Sequence, residues 1–222
     1  MKAIILAGGR GKRLRPVTDY VPKPLVPINN IPIIEWQIRY LKRFGVSEVI
    51  ICTGYKQEMI ENYLNMKKTG MSIKFSVEKS PLGTGGAIKK AGKMIQDASF
   101  FVINGDIITD IDLKELSGKQ NSIASVELRT KFGILETDGN QITGFKEKKE
   151  IQDLWMNAGI YHLQKDILQS LPTVGDIEKT VFPDFAKKGK IGIVKFKDVK
   201  WYSIDSFKDM EECSLEVEEI MK

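Results

Sequence analysis

Histidine and cysteine, which build most metal and nucleophile sites, are scarce in this sequence: its 222 residues hold one histidine and two cysteines. Cys52 and Cys213 lie far apart, without the close spacing of metal-ligand pairs, so a Cys/His metal site is excluded. Both read as structural thiols, which suits a reducing cytoplasm. His162 sits in the apolar context Ile160-Tyr161-His162-Leu163 and also reads as structural. No apolar run approaches the ~18 residues of a membrane-spanning helix. The opening Met1–Ala7 soon meets glycines and arginines, too early for a signal peptide's apolar region and cleavage site. Internal repeats, hexapeptide repeats and low-complexity linkers are missing as well. The expectation is a cytoplasmic protein without membrane contact.

What remains is an ordinary globular composition, 42% hydrophobic and 28% charged, long enough for one sizeable core over residues 1–222. The formal net charge of +5 admits nucleic acid as a partner. The charges are scattered, however, and no basic stripe interleaved with aromatics appears. A polyphosphate ligand accounts better for the basic N-terminal quarter.

Strand-like runs alternate with helical patterns. Strands are expected over 2–7, 48–53, 72–78 and 99–104, with helices over 33–44, 56–65 and 85–95. This βαβαβ order implies a Rossmann-like, mostly parallel α/β sheet with helices on both faces. Ligands in such sheets sit beyond the carboxyl ends of the strands. The second half is less regular. Strands are expected over 123–128, 134–137, 142–145 and 154–163, with a hairpin turn at Asp138-Gly139-Asn140 and helices near 176–188 and 206–221. This half reads as a smaller β/α cap over the cleft.

The richest stretch follows the first strand: residues 6–27, LAGGRGKRLRPVTDYVPKPLVP. Gly8, Gly9 and Gly11 let the backbone turn tightly and approach a ligand, and successive amides in such a loop form an anion cradle. Lys12, Arg13, Arg15 and Lys23 add charge, and four prolines stiffen the segment that carries Lys23. A Walker A loop is excluded because Arg13 follows Gly11-Lys12; the dinucleotide fingerprint fails because Leu14 takes its last glycine position.

L-A-G-G-x-G-x-R-L-x-P-x-T followed by P-K-P-L resembles the opening motif of the sugar-phosphate nucleotidyltransferases. The resemblance continues through Pro81-Leu82-Gly83-Thr84-Gly85-Gly86-Ala87, Asn104-Gly105-Asp106, Phe132-Gly133, Phe145–Lys148 and Asn157–Tyr161. Any one piece is weak; their ordered presence is specific. It implies a Mg²⁺-dependent enzyme that joins a nucleoside triphosphate (NTP) to a sugar 1-phosphate and releases pyrophosphate, without the C-terminal β-helix of some relatives. Self-association is left open.

That reaction needs no protein nucleophile or base, because the attacking phosphate oxygen is already ionised. The protein must position two anions and neutralise charge. The resemblance implies that Arg13 holds the triphosphate and that Lys23 bridges the α-phosphate and the sugar phosphate. Leu6, Ala7, Gly8, Gly9, Gly11, Lys12, Glu78, Gly83 and Thr84 would form the nucleotide site; Lys12 stands where relatives often have Ser or Thr. Gly133, Glu147, Lys148 and Asn157 would meet the sugar phosphate.

Asp106, exposed where an apolar strand ends, is the first expected metal carboxylate. The second departs from the family's W-x-D-x-G pattern, which reads here Trp201-Tyr202-Ser203-Ile204-Asp205. If this segment is extended, positions 203 and 205 share a face, so Asp205 can supply the ligand; alternatively the acid is lost and the chain is a non-catalytic nucleotide-sugar-binding relative. Glu78 replaces a common Gln. A carboxylate only accepts hydrogen bonds, and guanine offers two adjacent donors where uracil and thymine offer one. The base reading therefore favours GTP, with a mannose-like or heptose sugar.

Overall fold

The computed structural model describes residues 1–118, 120–130, 132–146 and 150–221. Its centre is a seven-stranded sheet. Four parallel strands come from the first half: β1 (Lys2–Leu6), β4 (Glu48–Thr53), β5 (Ser72–Val77) and β6 (Ser99–Asn104). Three come from the second half: β8 (Ser122–Arg129), β11 (Glu150–Gln164) and β12 (Gly192–Phe196). The order across the sheet is β12-β8-β11-β6-β1-β4-β5, and β11 alone runs antiparallel to both of its neighbours. Much of the second half therefore extends the same sheet. What stands off it is the hairpin β9 (Ile134–Asp138) and β10 (Gln141–Lys146). The turn between them falls at the expected Asp-Gly-Asn.

β1, β4 and β6 are buried on both faces, hence their unbroken apolar sequence. On one face lie α2 (Ile33–Arg43) and α3 (Gln57–Asn65). Ile34, Ile38 and Leu41 of α2 are buried at helical spacing; each such side chain contributes about 1.5–3 kcal/mol. On the other face lie α4 (Gly83–Gly92), α6 (Ile167–Ser170) and α7 (Ile177–Lys187). α4 begins two residues earlier than its apolar pattern suggests, because a neighbouring loop holds its first turn: Gly85 N and Gly86 N both donate to Gly175 O. His162 is buried in β11 with its ring 5.3 Å from that of Phe101.

A third cluster packs α8 (Phe207–Ile220) against Leu14, Val26, Ile28 and Trp36. It anchors the N-terminal segment, whose short elements are α1 (Val17–Tyr20) and the ladder of β2 (Pro27–Ile28) with β3 (Ile31–Pro32). A small ladder pairs β7 (Ile107–Thr109) with β13 (Trp201–Ser203), and α5 (Leu113–Ser117) follows β7. Among the described residues, no helix is long and apolar enough to cross a membrane.

Candidate active site

The carboxyl ends of β1, β5 and β6 open into one cleft of about 760 Å³. Every residue expected in the nucleotide site lines it: Leu6, Ala7, Gly8, Gly9, Gly11, Lys12, Glu78, Gly83 and Thr84. Arg13, Lys23, Asp106 and Asp205 line it too. Parallel strands explain the convergence, since each delivers its following loop to the same edge.

The glycine-rich loop is shaped by contacts on both sides. Gly11 adopts φ 60°, and a Cβ there would stand 2.9 Å from Cβ of Lys23, so this position needs glycine for conformation and for space. Thr18 Oγ1 donates to Gly11 O at 2.9 Å. Leu14 closes the turn as a buried anchor.

The acids and cations then assemble around Lys23. The β7·β13 ladder sets Ser203 opposite Ile107, and Ile204 N donates to Asp106 O at 2.9 Å. Asp205 thus arrives beside Asp106. Lys23 Nζ donates to Asp106 Oδ2 and to Asp205 Oδ1, each at 2.7 Å. Arg13 Nη1 pairs with Asp205 Oδ2 at 2.9 Å. Two cations therefore balance two carboxylates at the floor of the cleft. Ser203 Oγ donates to Asp205 Oδ2 at 3.3 Å, so the residue in the family's usual acid position supports the acid two places on.

This donor set fits Mg²⁺. Two carboxylates converge on one cationic point, and among the described residues no group of three or more His, Cys, Asp or Glu could hold a metal unaided. The remaining ligands would have to be phosphate oxygens and water, which is how Mg²⁺ is normally held.

At the other end of the cleft, Glu78 is half-buried. Its Oε2 accepts from Leu82 N at 3.1 Å. Oε1 lies against Gly8, where a Cβ would stand 2.9 Å away, and no described residue donates to it. Burial raises the carboxyl pKa above the usual glutamate value, while the Leu82 amide and Lys90 pull it down.

The sugar-side expectations divide. Gly133 and Asn157 are absent from the cleft's lining. Asn157 is exposed, and its amide already donates to Tyr161 Oη and accepts from Gly159 N. Glu147 and Lys148 lie outside the described residues. A second pocket of about 440 Å³ adjoins the cleft and shares Arg13 and Asp205 with it. Met156, Trp201 and Lys208 line it.

Several supporting residues escape a reading of the sequence. Gln37 is buried in α2 and donates through Nε2 to Asn104 O and Ile107 O, bracketing the turn that carries Asp106. Its signal is a polar residue beside the apolar stripe of Ile34, Ile38 and Leu41. Asp209 accepts from Asp205 N and from Ser206 Oγ, fixing the backbone at Asp205.

A family model described as nucleotidyl transferase matches residues 2–219. The chain belongs to this family. Among its relatives is the D-glycero-α-D-manno-heptose 1-phosphate guanylyltransferase of Aneurinibacillus thermoaerophilus, 40% identical over 76% of this chain and 77% of the relative. The mannose-1-phosphate guanyltransferase beta-A of Xenopus laevis is 36% identical over 94% of this chain, which spans 62% of that longer protein. Among solved structures, HddC from Yersinia pseudotuberculosis superimposes with TM-score 0.80 at 30% identity, covering 97% of this chain and 98% of that one. HddC complexed with GMP-PN gives TM-score 0.77 at 29% identity, covering the same shares of the two chains. The nucleotidyl transferase fold explains why the site lies at one sheet edge.

Proposed function

We propose that this nucleotidyl transferase moves a GMP unit from GTP to a mannose-like or heptose 1-phosphate, releasing pyrophosphate, with Mg²⁺ as cofactor. The observation that carries this reading is the convergence of Arg13, Lys23, Asp106 and Asp205 beneath the glycine-rich loop, with Glu78 at the far end of the same cleft. The names of the relatives support the same reading.

An ionised oxygen of the sugar phosphate attacks the α-phosphorus of GTP. The new P–O bond forms as the bond from that phosphorus to the α–β bridging oxygen breaks, and its electron pair leaves with pyrophosphate. Lys23 and Arg13 face the two approaching anions, and the loop amides hold the triphosphate in line. Asp106 and Asp205 would hold Mg²⁺, which supplies charge neutralisation when bound. Glu78 accepts from guanine's ring N–H and exocyclic amine. The sugar phosphate enters beside Arg13, from the adjoining pocket. We place the reaction in the cytoplasm, in keeping with two buried, unpaired cysteines.

Ser203 is the feature that favours a non-catalytic relative. Its hydroxyl contact to Asp205 weighs against that alternative, because an acid still faces Asp106. The test is pyrophosphate release from GTP, UTP, dTTP or ATP with Mg²⁺ and a panel of hexose and heptose 1-phosphates. Release is expected with GTP; silence across the whole panel would replace catalysis with binding alone.

A further inference from the structure

Five cations stand between positions 10 and 23, and the structure divides them. Arg13 pairs with Asp205, Arg15 with Asp19, and Lys23 with Asp106 and Asp205. Arg10 and Lys12 line the same cleft, and neither pairs with a carboxylate among the described residues. Lys12 already has a place in the nucleotide site, whereas Arg10 has none so far.

Arg10 is exposed, yet it rests on a built support. Its Cζ lies 5.6 Å from the centroid of the Tyr55 ring, within cation–π range. That tyrosine is tied to the glycine-rich loop on both sides of Arg10. On the near side, Tyr55 N donates to Gly8 O at 3.2 Å. On the far side, Tyr55 Oη donates to Thr18 O at 3.1 Å, and the buried Thr18 donates through Oγ1 to Gly11 O at 2.9 Å. Loop and ring are therefore one hydrogen-bonded unit that holds the guanidinium at the cleft. Lys56 Nζ approaches the same ring at 5.7 Å, but it donates to Tyr20 O at 3.0 Å, and Lys56 is not part of the cleft's lining.

A guanidinium without a carboxylate partner keeps its donors for a ligand, and its planar fork matches two phosphate oxygens. On the floor of the cleft, Arg13 and Lys23 are balanced by Asp106 and Asp205. The uncompensated positive charge lies instead on the loop, at Arg10 and Lys12. The α-phosphate must sit at the floor, where it is attacked. The anionic groups that extend beyond it are the β- and γ-phosphates.

We propose that Arg10 binds the β- and γ-phosphates of the nucleotide, and hence the departing pyrophosphate, with Tyr55 as the positioning residue beneath it. The inference rests on the reaction proposed above for the presence of a triphosphate in this cleft, and it holds for any base or sugar.

The experiment is calorimetric titration of the full chain, in Mg²⁺, with inorganic pyrophosphate, GTP and GMP. Arg10→Gln is expected to bind pyrophosphate and GTP about tenfold or more weakly, the loss of a charged hydrogen-bonding fork, while its affinity for GMP stays that of the wild type. Arg10→Lys recovers part of the loss, because it restores the charge without the fork. Tyr55→Leu weakens pyrophosphate binding when Arg10 is present and adds nothing in the Arg10→Gln background. Unchanged pyrophosphate and GTP affinities in Arg10→Gln overturn the inference alone. So does a parallel loss of GMP, which would mean that Arg10 shapes the loop. An equal loss from Tyr55→Leu in both backgrounds removes the tyrosine from the proposal. A wild-type protein that binds neither pyrophosphate nor either nucleotide overturns the reaction together with the inference.

Discussion

Replacing Lys23 by methionine keeps most of the apolar stem of the side chain and removes its charge, leaving Asp106 and Asp205 without the ammonium between them. In the wild type both carboxylates accept from one ammonium at 2.7 Å, and the lysine side chain is only 12% exposed. Hydrogen bonds to charged groups contribute ~1.5–3 kcal/mol each, and partial solvation of the two acids puts the pair near the lower end, about 3 kcal/mol together. For a chain of this size that corresponds to a fall in Tm of about 6–12 °C in EDTA. Added Mg²⁺ should then restore more stability to the variant than it adds to the wild type, because the cation no longer competes with an ammonium for the two acids. Turnover should fall by about 10²–10³, the loss expected for one transition-state contact. Thermal unfolding in EDTA and across a Mg²⁺ titration, with pyrophosphate release alongside, reads all three effects. Equal Tm values in EDTA and equal Mg²⁺ responses would show that the lysine does not hold the two acids together. Normal kcat/KM would remove it from the mechanism.

Arg13→Ala should lose ~2.7–4 kcal/mol of transition-state stabilisation with almost no change in Tm, because its side chain is 75% exposed and such ion pairs contribute ~1 kcal/mol or less; near-normal kcat/KM would contradict this. Asp205→Ala should lose activity that excess Mg²⁺ partly restores, and Ser203→Ala should stay active; a metal titration that shifts only in Ser203→Ala reverses the assignment. Glu78 should give GTP preference over UTP, and Glu78→Gln should narrow the gap. Because burial raises this carboxyl's pKa, the preference is present at neutral pH and is lost, as pH falls, at a higher pH than an ordinary glutamate would show. The same raised pKa makes the ionised form a cost to folding: its favourable contribution is complete below the unfolded pKa and disappears as pH rises through the folded one. Glu78→Gln should therefore raise Tm at pH 7 and leave it unchanged at pH 4, and a gain confined to pH 4 would reject this account.

The first half of the fold was legible because its strands are buried on both faces and its helices carry one apolar stripe each. β4 and β6 fall on their expected residues, 48–53 and 99–104. β12 was not foreseen: it is a five-residue edge strand whose only buried residue is Phe196, and its exposed Ile193 breaks the alternation of apolar and polar positions. β7 and β13 are three residues each, too short for a periodic signal. That the second half would join the central sheet was hidden as well, because β11 owes its place to pairing with β6 and β8, both distant in sequence. In the site, the cations and glycines stood out from local spacing. Asp106 and Asp205 were expected there as acids, but not as partners of Lys23, from which they lie 83 and 182 residues away.

The antiparallel strand β11 has a consequence for the chain as it emerges from the ribosome. Its residues Ile160–Gln164 cover the edge of β6, whose Phe100–Ile103 run is as apolar as any in the molecule. Until they are made, that edge presents unpaired amides and carbonyls beside bare aromatic side chains, a template for pairing with another chain. The gap from Asn104 to Gln164 takes roughly 3–12 s to translate at ~5–20 residues per second. During that interval the nascent chain already carries a complete glycine-rich loop and an unprotected strand, so the hazard of misassembly is greatest midway through synthesis and ends when β11 slots into place.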